Sequence, residues 1–600
     1  MSAGGVLEIP AFAVGLAGIA DLVEKIIRLW QLIAAARHYG EDLVRAMCTL
    51  YFEYSVFYNW CQGMRVSPDR RGASSLLRPV PPRPAPGLSP FAETLYLQSR
   101  SPFHIPVSRI VEILESIERI TTKLRSRADE HSAAHGTVGP ATHGVLEIAL
   151  GSSATPIASR AHRGLREWAY NRISMIRRVQ MQVPMAPTPS ELEKLNTLIR
   201  EFKDLNRDLW NFLSTRRRDA FIERELPAMV FDIPYDRRGL GVLQEASSEN
   251  FPAISNTANL WIGRVEIEST PLQDSIRVPI SESELKLYET RQGPWQLATM
   301  KEDTLGANRV VVVEWYECQG LSEADIAVST DRINNLSQIT RLSSAKSDLR
   351  ILNSPGYFRK TDDEGVKLGL VFNFPDSADP RYAPVSLASL FTKDRSGRSR
   401  YELSLRQKFI LANQLAASLA AFHRVRWYHK NFNAHSIVFF HSLADYNVLL
   451  LSHPYISGFG FSRPDDPAGR SLNPTWAMHI HPDLEHDNDP ARPKFQRHHD
   501  IYSLGVLLFD IGTWGTAKQH LVKSGRNVTP EEFRCSLERY SVDLKGRMGN
   551  EYRRVTEWCL RQPEEDAADV ITTSQISLET FYLRVMHVLA QCHCSMIKEG

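Results

Sequence analysis

The spacing of apolar residues changes along this chain, and the change separates two kinds of structure. In roughly the first 225 residues, apolar side chains recur at intervals of three and four, as between Val14 and Ile33, which is the period of an amphipathic helix. From Arg309 to Trp315 the chain instead reads RVVVVEW, a β-branched run typical of a buried strand. Because 600 residues exceed what one hydrophobic core can serve, the sequence predicts a multidomain protein with an all-α part and an α+β part.

The all-α part is predicted to be a helical bundle over residues 1–225 with two flexible inserts. Residues 67–90 are rich in proline and break the helical period, and residues 131–159 are rich in Gly, Ala, Ser and Thr. Residues 226–300 mix prolines with short apolar runs. They are interpreted as a linker that leads into a β-rich segment.

The second part shows strand and helix patterns in a definite order. Strands are expected at Arg309–Trp315 and at Gly369–Phe374, which Pro375 ends, and the spacing from Asp331 to Ser344 between them is helical. A long helix is expected at Ser404–Phe422. The remaining predicted elements are two strand-like segments and a buried helix, at Ser436–Phe440, Asn447–Ser452 and His498–Ile511.

Composition excludes several classes of protein. A hydrophobic content of 43% argues against disorder throughout the chain, and 71 basic against 69 acidic residues give no overall bias toward nucleic acid.

Seven cysteines without paired CxxC spacing indicate a reducing intracellular compartment. The N-terminus lacks the basic region of a secretory signal, and the apolar stretch Pro10–Ala20 is about half the length of a membrane-spanning helix. A cytoplasmic protein without a permanent transmembrane helix is expected.

Four short motifs in the second part follow one another in the order found in protein kinases. Residues 429–436 read HKNFNAHS and match the catalytic-loop pattern H-R-D-L-x-x-x-N position by position. Residues 458–460 (GFG) stand in the place of D-F-G, residues 481–483 (HPD) in the place of A-P-E, and residues 500–505 (DIYSLG) resemble D-x-x-S-x-G. The segment 301–590 thus resembles a protein kinase. The resemblance implies a bilobal α+β fold whose N-lobe starts within 226–300 and runs to about 375, with a C-lobe from about 380.

This sequence departs from the kinase pattern at the positions that serve phosphoryl transfer. Asn431 replaces the aspartate that accepts the substrate proton, Ser436 replaces a Mg²⁺-binding asparagine, and Gly458 replaces the Mg²⁺-binding aspartate. The position of the phosphate-binding lysine falls on Glu314 or, in the neighbouring register, on Trp315. No G-x-G-x-x-G loop precedes this strand.

These departures predict a pseudokinase with no catalytic residue and no cofactor, although ATP binding without Mg²⁺ is left open. The degenerate motif positions are Glu314, His429, Asn431, Ser436, Gly458, Phe459 and Gly460. The residues expected to keep structural roles of the kinase motifs are Pro482, Asp483 and Asp500.

A dense group of histidines lies near the HPD segment, at His479, His481, His486, His498 and His499. Acidic residues accompany these side chains, so the group has the composition of a metal site. Most of its members belong to the A-P-E-like loop, however, and we assign no metal. The Cys592, His593 and Cys594 cluster is likewise interpreted as part of a frayed tail.

About the first 50 residues carry a second resemblance. Residues 12–20 (FAVGLAGIA) form a Gly/Ala-rich start, an amphipathic helix follows, and residues 36–42 (ARHYGED) form a turn into a second helix. This pattern resembles the fungal HeLo domain, a helical bundle of prion-inhibition and heterokaryon-incompatibility proteins. The resemblance implies an effector that inserts its N-terminal segment into membranes and kills the cell. The residues expected to serve this role are Phe12, Leu16, Ile19, Val23, Ile26 and Trp30.

Together the two resemblances predict a fungal cell-death or heterokaryon-incompatibility signalling protein in which a pseudokinase regulates a membrane-targeting effector. Expected partners are anionic membrane lipids, further copies of the chain through the N-terminal bundle, and an upstream protein that the sequence does not identify. No nucleic acid is expected, and activation is expected to recruit the cytoplasmic protein to the plasma membrane. The arginine-rich helix at about 160–182 is either a lipid-binding surface or a core-facing helix with a solvated basic face. Two other functions stay open, a scaffold without membrane activity and a divergent active kinase.

Overall fold

The structure is a computed structural model that divides into two compact units, Met1–Ala258 and Asn259–Gly600. It describes parts of 42–57 and 109–123 and a series of longer ranges. Those ranges are 188–211, 218–219, 221–231, 237–269, 279–301, 308–318, 322–342, 349–362, 365–392, 401–459, 463–464, 479–484, 495–521, 528–561 and 578–598.

The described residues of the N-terminal unit are helical apart from caps and turns. Helical residues occur between 42 and 57 and between 109 and 123. A π-helical turn, Phe221–Glu225, precedes the second of the four named helices. These helices are α1 (Pro189–Trp210), α2 (Leu226–Val230), α3 (Arg237–Ser247) and α4 (Pro252–Ser269), the last of which crosses the boundary between the units.

Helix α1 has the start that its sequence, Thr-Pro-Ser-Glu, favours. The Thr188 hydroxyl accepts a hydrogen bond from the Glu191 N–H (3.3 Å), and the Glu191 carboxylate accepts one from the Thr188 N–H (3.0 Å). Pro189 occupies the first turn, where a missing N–H leaves no helical hydrogen bond unmade. The local sequence therefore fixes where this helix begins.

Two buried polar contacts tie α1 to the helical residues near position 53. The Asn206 amide donates to the Glu53 backbone carbonyl (2.7 Å) and to the Glu53 carboxylate (2.9 Å). The Trp210 indole donates to the Val56 carbonyl (3.1 Å). Burial raises the pKa of Glu53 to about 7, and the Asn206 hydrogen bond opposes that rise. Asn206 thus donates hydrogen bonds to the backbone carbonyl and the carboxyl group of a buried residue.

The segment 226–269 differs from the linker that the sequence analysis expected, because it forms α2, α3 and α4. Its prolines suggested broken structure, but Pro227 and Pro252 both lie in the first turn of a helix. A proline is compatible with that position because its missing N–H would have no helical partner. The β-rich segment begins later, at residue 285.

The C-terminal unit opens with a five-stranded antiparallel sheet in the order β1-β2-β3-β5-β4. Its strands are β1 (Leu285–Gln292), β2 (Trp295–Lys301), β3 (Asn308–Glu317), β4 (Gly356–Asp362) and β5 (Gly365–Asn373). Helix α5 (Glu323–Arg341) connects β3 to β4 and packs against β4 and β5. The predicted strands at Arg309–Trp315 and Gly369–Phe374 correspond to β3 and β5.

Both faces of β3 are buried, as its β-branched sequence predicted. Val311, Val313 and Trp315 pack on one face with residues of the neighbouring strands. Since side chains alternate along a strand, Val312 and Glu314 point to the opposite face, where they are also buried. The carboxyl group of Glu314 is therefore buried on this second face of the sheet.

The rest of this unit is mainly helical, with two small sheets, β6-β8-β9 and β7-β10. Helix α7 begins at a Ser404–Gln407 capping box, and every residue of α8 is buried. In chain order the elements are β6 (Val385–Ser386), α6 (Leu387–Leu390), α7 (Leu405–Arg424), β7 (Trp427–Tyr428), β8 (Ile437–Phe439), β9 (Tyr455–Ile456), β10 (Arg463–Pro464), a 3₁₀ turn (Pro482–Leu484), α8 (Arg497–Thr513), α9 (Ala517–Leu521), α10 (Pro530–Tyr540), a 3₁₀ turn (Ser541–Asp543), α11 (Leu544–Met548), α12 (Asn550–Leu560), α13 (Leu578–Phe581), a π-helical turn (Tyr582–Met586) and α14 (His587–Lys598).

One predicted strand is replaced by a turn. Residues 447–452 form turns and a single bridge between Leu449 and His441, and β8 pairs with Tyr455–Ile456 instead. The Asp445 side chain accepts a hydrogen bond from the Asn447 N–H (2.9 Å), a local contact that favours a turn over a ladder. The chain is thus multidomain, with an N-terminal helical region and a C-terminal region that contains the sheets.

Replacing Asn206 by alanine is expected to lower the free energy of unfolding by roughly 1–3 kcal/mol, because the Glu53 carbonyl and carboxylate lose a buried donor. Urea denaturation of the full chain measures this difference. Asn196→Ala, at a partly exposed position of the same helix, is the matched control. Equal stabilities of the two variants would show that the buried amide contributes nothing.

Candidate functional site

The site is organised by one buried carboxylate, that of Asp500 in the first turn of α8. Its Oδ2 accepts the backbone N–H of His429 (3.0 Å), and its Oδ1 accepts the backbone N–H of Lys430 (2.9 Å). The Nε2 atom of His423 on α7 lies 3.2 Å from Oδ2. Lys430 has a φ of 66°, a strained conformation for a side-chain-bearing residue. Asp500 thus fixes the start of the loop 429–436 at that conformation.

Glu314 of β3 reaches across to the GFG segment. Its Oε1 accepts a hydrogen bond from the Gly458 N–H at 2.7 Å. Two residues further along the same face of β3, the Tyr316 hydroxyl accepts the Phe459 N–H at 3.2 Å. The central strand of the sheet therefore holds two consecutive backbone amides of the segment that resembles D-F-G.

Burial dominates the electrostatics of this contact. It raises the pKa of Glu314 to about 7, and the Tyr316 hydroxyl and the Gly458 N–H only partly oppose it. Burial also raises the pKa of Tyr316 well above its ordinary value, so the phenol keeps its proton. Near neutral pH, Glu314 is therefore divided between its charged and neutral forms.

The space beside Gly458 is already filled. Its φ is 82°, in the region that favours glycine. A Cβ at this position would lie 3.1 Å from the Asn431 amide nitrogen and 3.1 Å from the Ser436 Cβ. A larger residue at position 458 would require these two neighbours to move.

The loop residue Asn431 is held by other polar side chains. Its Oδ1 accepts a hydrogen bond from the Asn433 amide (2.7 Å) and lies 3.0 Å from Nε2 of His479. Burial lowers the pKa of His479 to about 4, which leaves its imidazole neutral at pH 7. An amide does not ionise in this range, so position 431 supplies hydrogen bonds and no general base.

Ser436 and His429 complete the loop through backbone contacts. The Ser436 hydroxyl donates to the Asn433 carbonyl (2.9 Å) and accepts the Asn433 N–H (3.0 Å), which closes a turn. Nε2 of His429 lies 2.9 Å from the Ser457 carbonyl, and burial lowers the pKa of this histidine to about 4. The neutral ring therefore donates from Nε2 to that carbonyl, and Phe459 packs against it with ring centroids 4.9 Å apart.

The structure brings six of the seven degenerate motif positions together and leaves the seventh, Gly460, outside the described residues. Trp315 points to the opposite face of β3 from Glu314, where its indole donates to Gln296 (2.8 Å). Pro482 and Asp483 lie in the 3₁₀ turn before α8. Sequence reasoning missed Tyr316, because nothing in its local pattern indicates a partner 143 residues away.

The residues predicted to act at membranes lie outside the described part of the chain: Phe12, Leu16, Ile19, Val23, Ile26 and Trp30. The same holds for the two predicted inserts and for the arginine-rich segment at about 160–182 that was predicted to be helical. Among the residues that the structure describes, no helix is both long and apolar enough to cross a bilayer.

Two family models match the chain. Residues 11–235 match the HeLo model, described as prion-inhibition and propagation, and residues 287–574 match a domain of unknown function, DUF7580. No curated protein matches. The first match confirms the HeLo resemblance of the N-terminal sequence and carries it to residue 235. The second match assigns no activity, so the kinase-like interpretation of this region stays a prediction.

Replacing Glu314 by glutamine tests the raised pKa. The folded chain binds the Glu314 proton more tightly than the unfolded chain, with a pKa of about 7 against a reference value of 4.5. The charged form is therefore disfavoured by folding, and the unfolding free energy falls as the pH rises through this interval. Glu314→Gln removes this loss while keeping an oxygen that accepts the Gly458 N–H.

The expected result is that the stability of Glu314→Gln relative to the natural chain rises by about 3 kcal/mol between pH 4.5 and pH 8. Urea denaturation across this range measures it. Glu317→Gln, at the exposed end of the same strand, is the control and should show no such rise. A pH-independent difference for Glu314→Gln would mean that Glu314 titrates normally.

Proposed function

We propose that this chain is a fungal cell-death or heterokaryon-incompatibility signalling protein. In this proposal, a HeLo effector acts at membranes and a C-terminal pseudokinase regulates it. The protein is cytoplasmic and moves to the plasma membrane on activation. The match of residues 11–235 to the HeLo model supports the proposed cellular role. The contact between Glu314 and Gly458 supports the proposed loss of catalysis.

The order of elements supports a kinase-like architecture for the second unit. An antiparallel five-stranded sheet carries a helix between β3 and β4, and a mainly helical region follows it. The loop 429–436 comes directly after the long helix α7 and the short strand β7, and Asp500 holds its backbone. This is the arrangement that the resemblance of the four motifs implies. A shared architecture and shared motif positions do not by themselves imply an activity.

The chemistry of the site argues against phosphoryl transfer. That reaction depends on positioned metal ions and on positive charge around the phosphates. Here a carboxyl group, Glu314, occupies the strand position of the phosphate-binding lysine, and its Oε1 is engaged by the Gly458 N–H. Gly458 has no carboxylate with which to bind Mg²⁺. The Asn431 amide cannot accept a proton as a base. The proposed unit therefore binds and regulates without transferring phosphate.

The same contact suggests how regulation works. Glu314 joins the sheet to the GFG segment through one hydrogen bond whose acceptor titrates near pH 7. A partner or ligand that binds the Glu314 carboxyl group or the Gly458 N–H would break this hydrogen bond and free the GFG segment from β3. In the proposed mechanism, this change is passed to the HeLo domain and releases its N-terminal segment toward anionic lipid.

The proposal predicts that a fragment of residues 1–225 releases dye from anionic liposomes, whereas the full chain at equal concentration releases less. The expected reason is that the second unit restrains the first. Leu16→Asp with Ile19→Asp should abolish leakage by the fragment, because both residues belong to the apolar side of the N-terminal helix pattern. Asp21→Asn with Glu24→Gln, on the polar side of that pattern, is the matched control.

Circular dichroism establishes that each fragment is helical before leakage is compared. A helical fragment that leaves liposomes intact would contradict the membrane role and favour a scaffold. Equal leakage by fragment and full chain would instead contradict the restraint by the second unit.

A further inference from the structure

Four ionisable side chains meet between the 3₁₀ turn at Pro482–Leu484 and the first turn of α8. They are His481, Asp483, His498 and His499, and we call them the histidine cluster. One potential metal-binding atom from each lies within 4.8 Å of the others. The cluster plays no part in the contacts of Glu314 or of the loop 429–436 described above, so this inference is independent of the proposed function.

The spacing of the cluster is close to that of a tetrahedral metal site. A Zn²⁺ ion with bonds of about 2.1 Å to nitrogen and oxygen has ligand atoms about 3.4 Å apart. The Asp483 Oδ2 lies 3.4 Å from Nδ1 of His481 and 3.9 Å from Nε2 of His498. Side-chain rotations could bring all four ligand atoms to one ion, and His481 Nδ1 would then give up the hydrogen bond that it accepts from the Asp483 N–H (3.2 Å).

Two buried histidines of the cluster, His498 and His499, have ring nitrogens without hydrogen-bond partners among the described residues. The side chain of His498 is 8% exposed, and both of its ring nitrogens lack such a partner. His499 is 1% exposed, and its Nε2 lacks one as well. Buried polar atoms are satisfied in most proteins, and an unsatisfied one calls for a ligand or water. Each of the two rings thus has at least one nitrogen that makes no hydrogen bond within the described residues.

The hydrogen bonds of His499 show which tautomer of its ring is present. Its Nδ1 accepts the Gln496 N–H at 2.8 Å, so the neutral ring carries its proton on Nε2, where no acceptor lies in the described part of the chain. Metal binding through Nε2 moves that proton to Nδ1 and gives up the Gln496 hydrogen bond. A metal–nitrogen bond replaces both the lost bond and the unsatisfied N–H.

The surroundings suit a neutral imidazole ligand set. The ring of Phe495 packs 4.9 Å from that of His499, and Tyr502 packs 5.0 Å from His481. Zn²⁺ binds imidazole in its neutral form through a ring nitrogen, and the Asp483 carboxylate supplies the negative charge of the ligand set.

We propose that His481, Asp483, His498 and His499 bind one Zn²⁺ ion. Imidazole nitrogen with one carboxylate oxygen is a ligand set that Zn²⁺ accepts in tetrahedral geometry. Because four protein ligands leave no open position, the ion is structural. It joins the turn at Pro482–Leu484 to the start of α8, next to Asp500. The proposal differs from the expectation, drawn from composition alone, that these residues bind no metal.

The test uses full-length protein freed of metal and titrated with Co²⁺, whose visible absorption reports tetrahedral coordination, and then with Zn²⁺ as competitor. Cys592 and Cys594 are replaced by serine throughout, so that thiols near the C-terminus cannot bind the probe. One equivalent of Co²⁺ is expected, with displacement by Zn²⁺ and a rise in melting temperature.

Asp483→Asn and His498→Gln are each expected to weaken binding by more than about tenfold, since even the loss of an outer contact to a metal site costs about 10- to 100-fold. The Asp483 side chain is 44% exposed, so its variant should keep the fold even if His498→Gln does not. His453→Gln, at an exposed histidine, is the control. Binding that is absent, or that Asp483→Asn leaves unchanged, would overturn the proposal.

Discussion

The C-terminal unit depends on the carboxylate of Asp500. A fully buried charge costs several kcal/mol unless donors surround it, and here the donors are two backbone N–H groups of the loop 429–436, with His423 beside them. The same hydrogen bonds that stabilise the charge hold Lys430 at its positive φ. Once the start of the loop is fixed, Asn431 and Ser436 lie against Gly458. One side chain on α8 thus sets the position of the whole site.

Glu314 is the second buried acid of the site. Burial raises the pKa of its carboxyl group to about 7, and the Tyr316 hydroxyl and the Gly458 N–H only partly oppose that rise. Its charged form therefore lowers the stability of the folded chain as the pH rises toward 7, and in our proposal the contact with Gly458 opens during regulation. This contact is the physical basis of our proposal that the unit keeps a kinase-like framework and uses its former phosphate position as an internal contact.

Short-range patterns in the sequence predicted much of this fold. Patterns of neighbouring residues predicted three elements: the β-branched strand β3, the start of α7 at Ser404 and the apolar helix α8. The helices at 226–269 were missed because Pro227 and Pro252 suggested breaks, although both lie in first turns. The Glu314–Gly458 contact joins residues 144 positions apart, and no local pattern reveals it. The histidine cluster was visible as a composition, but only the packing of a turn against α8 shows which four side chains meet.

Titration calorimetry of the full chain with ATP, with and without Mg²⁺, tests the central claim most directly. In our account, Glu314 stands in place of the phosphate-binding lysine, and Gly458 has no carboxylate to bind a metal ion. Adding Mg²⁺ should therefore not create or strengthen nucleotide binding. Saturable binding of ATP that requires Mg²⁺ would contradict the account, because it would show that the site still assembles a metal–phosphate complex.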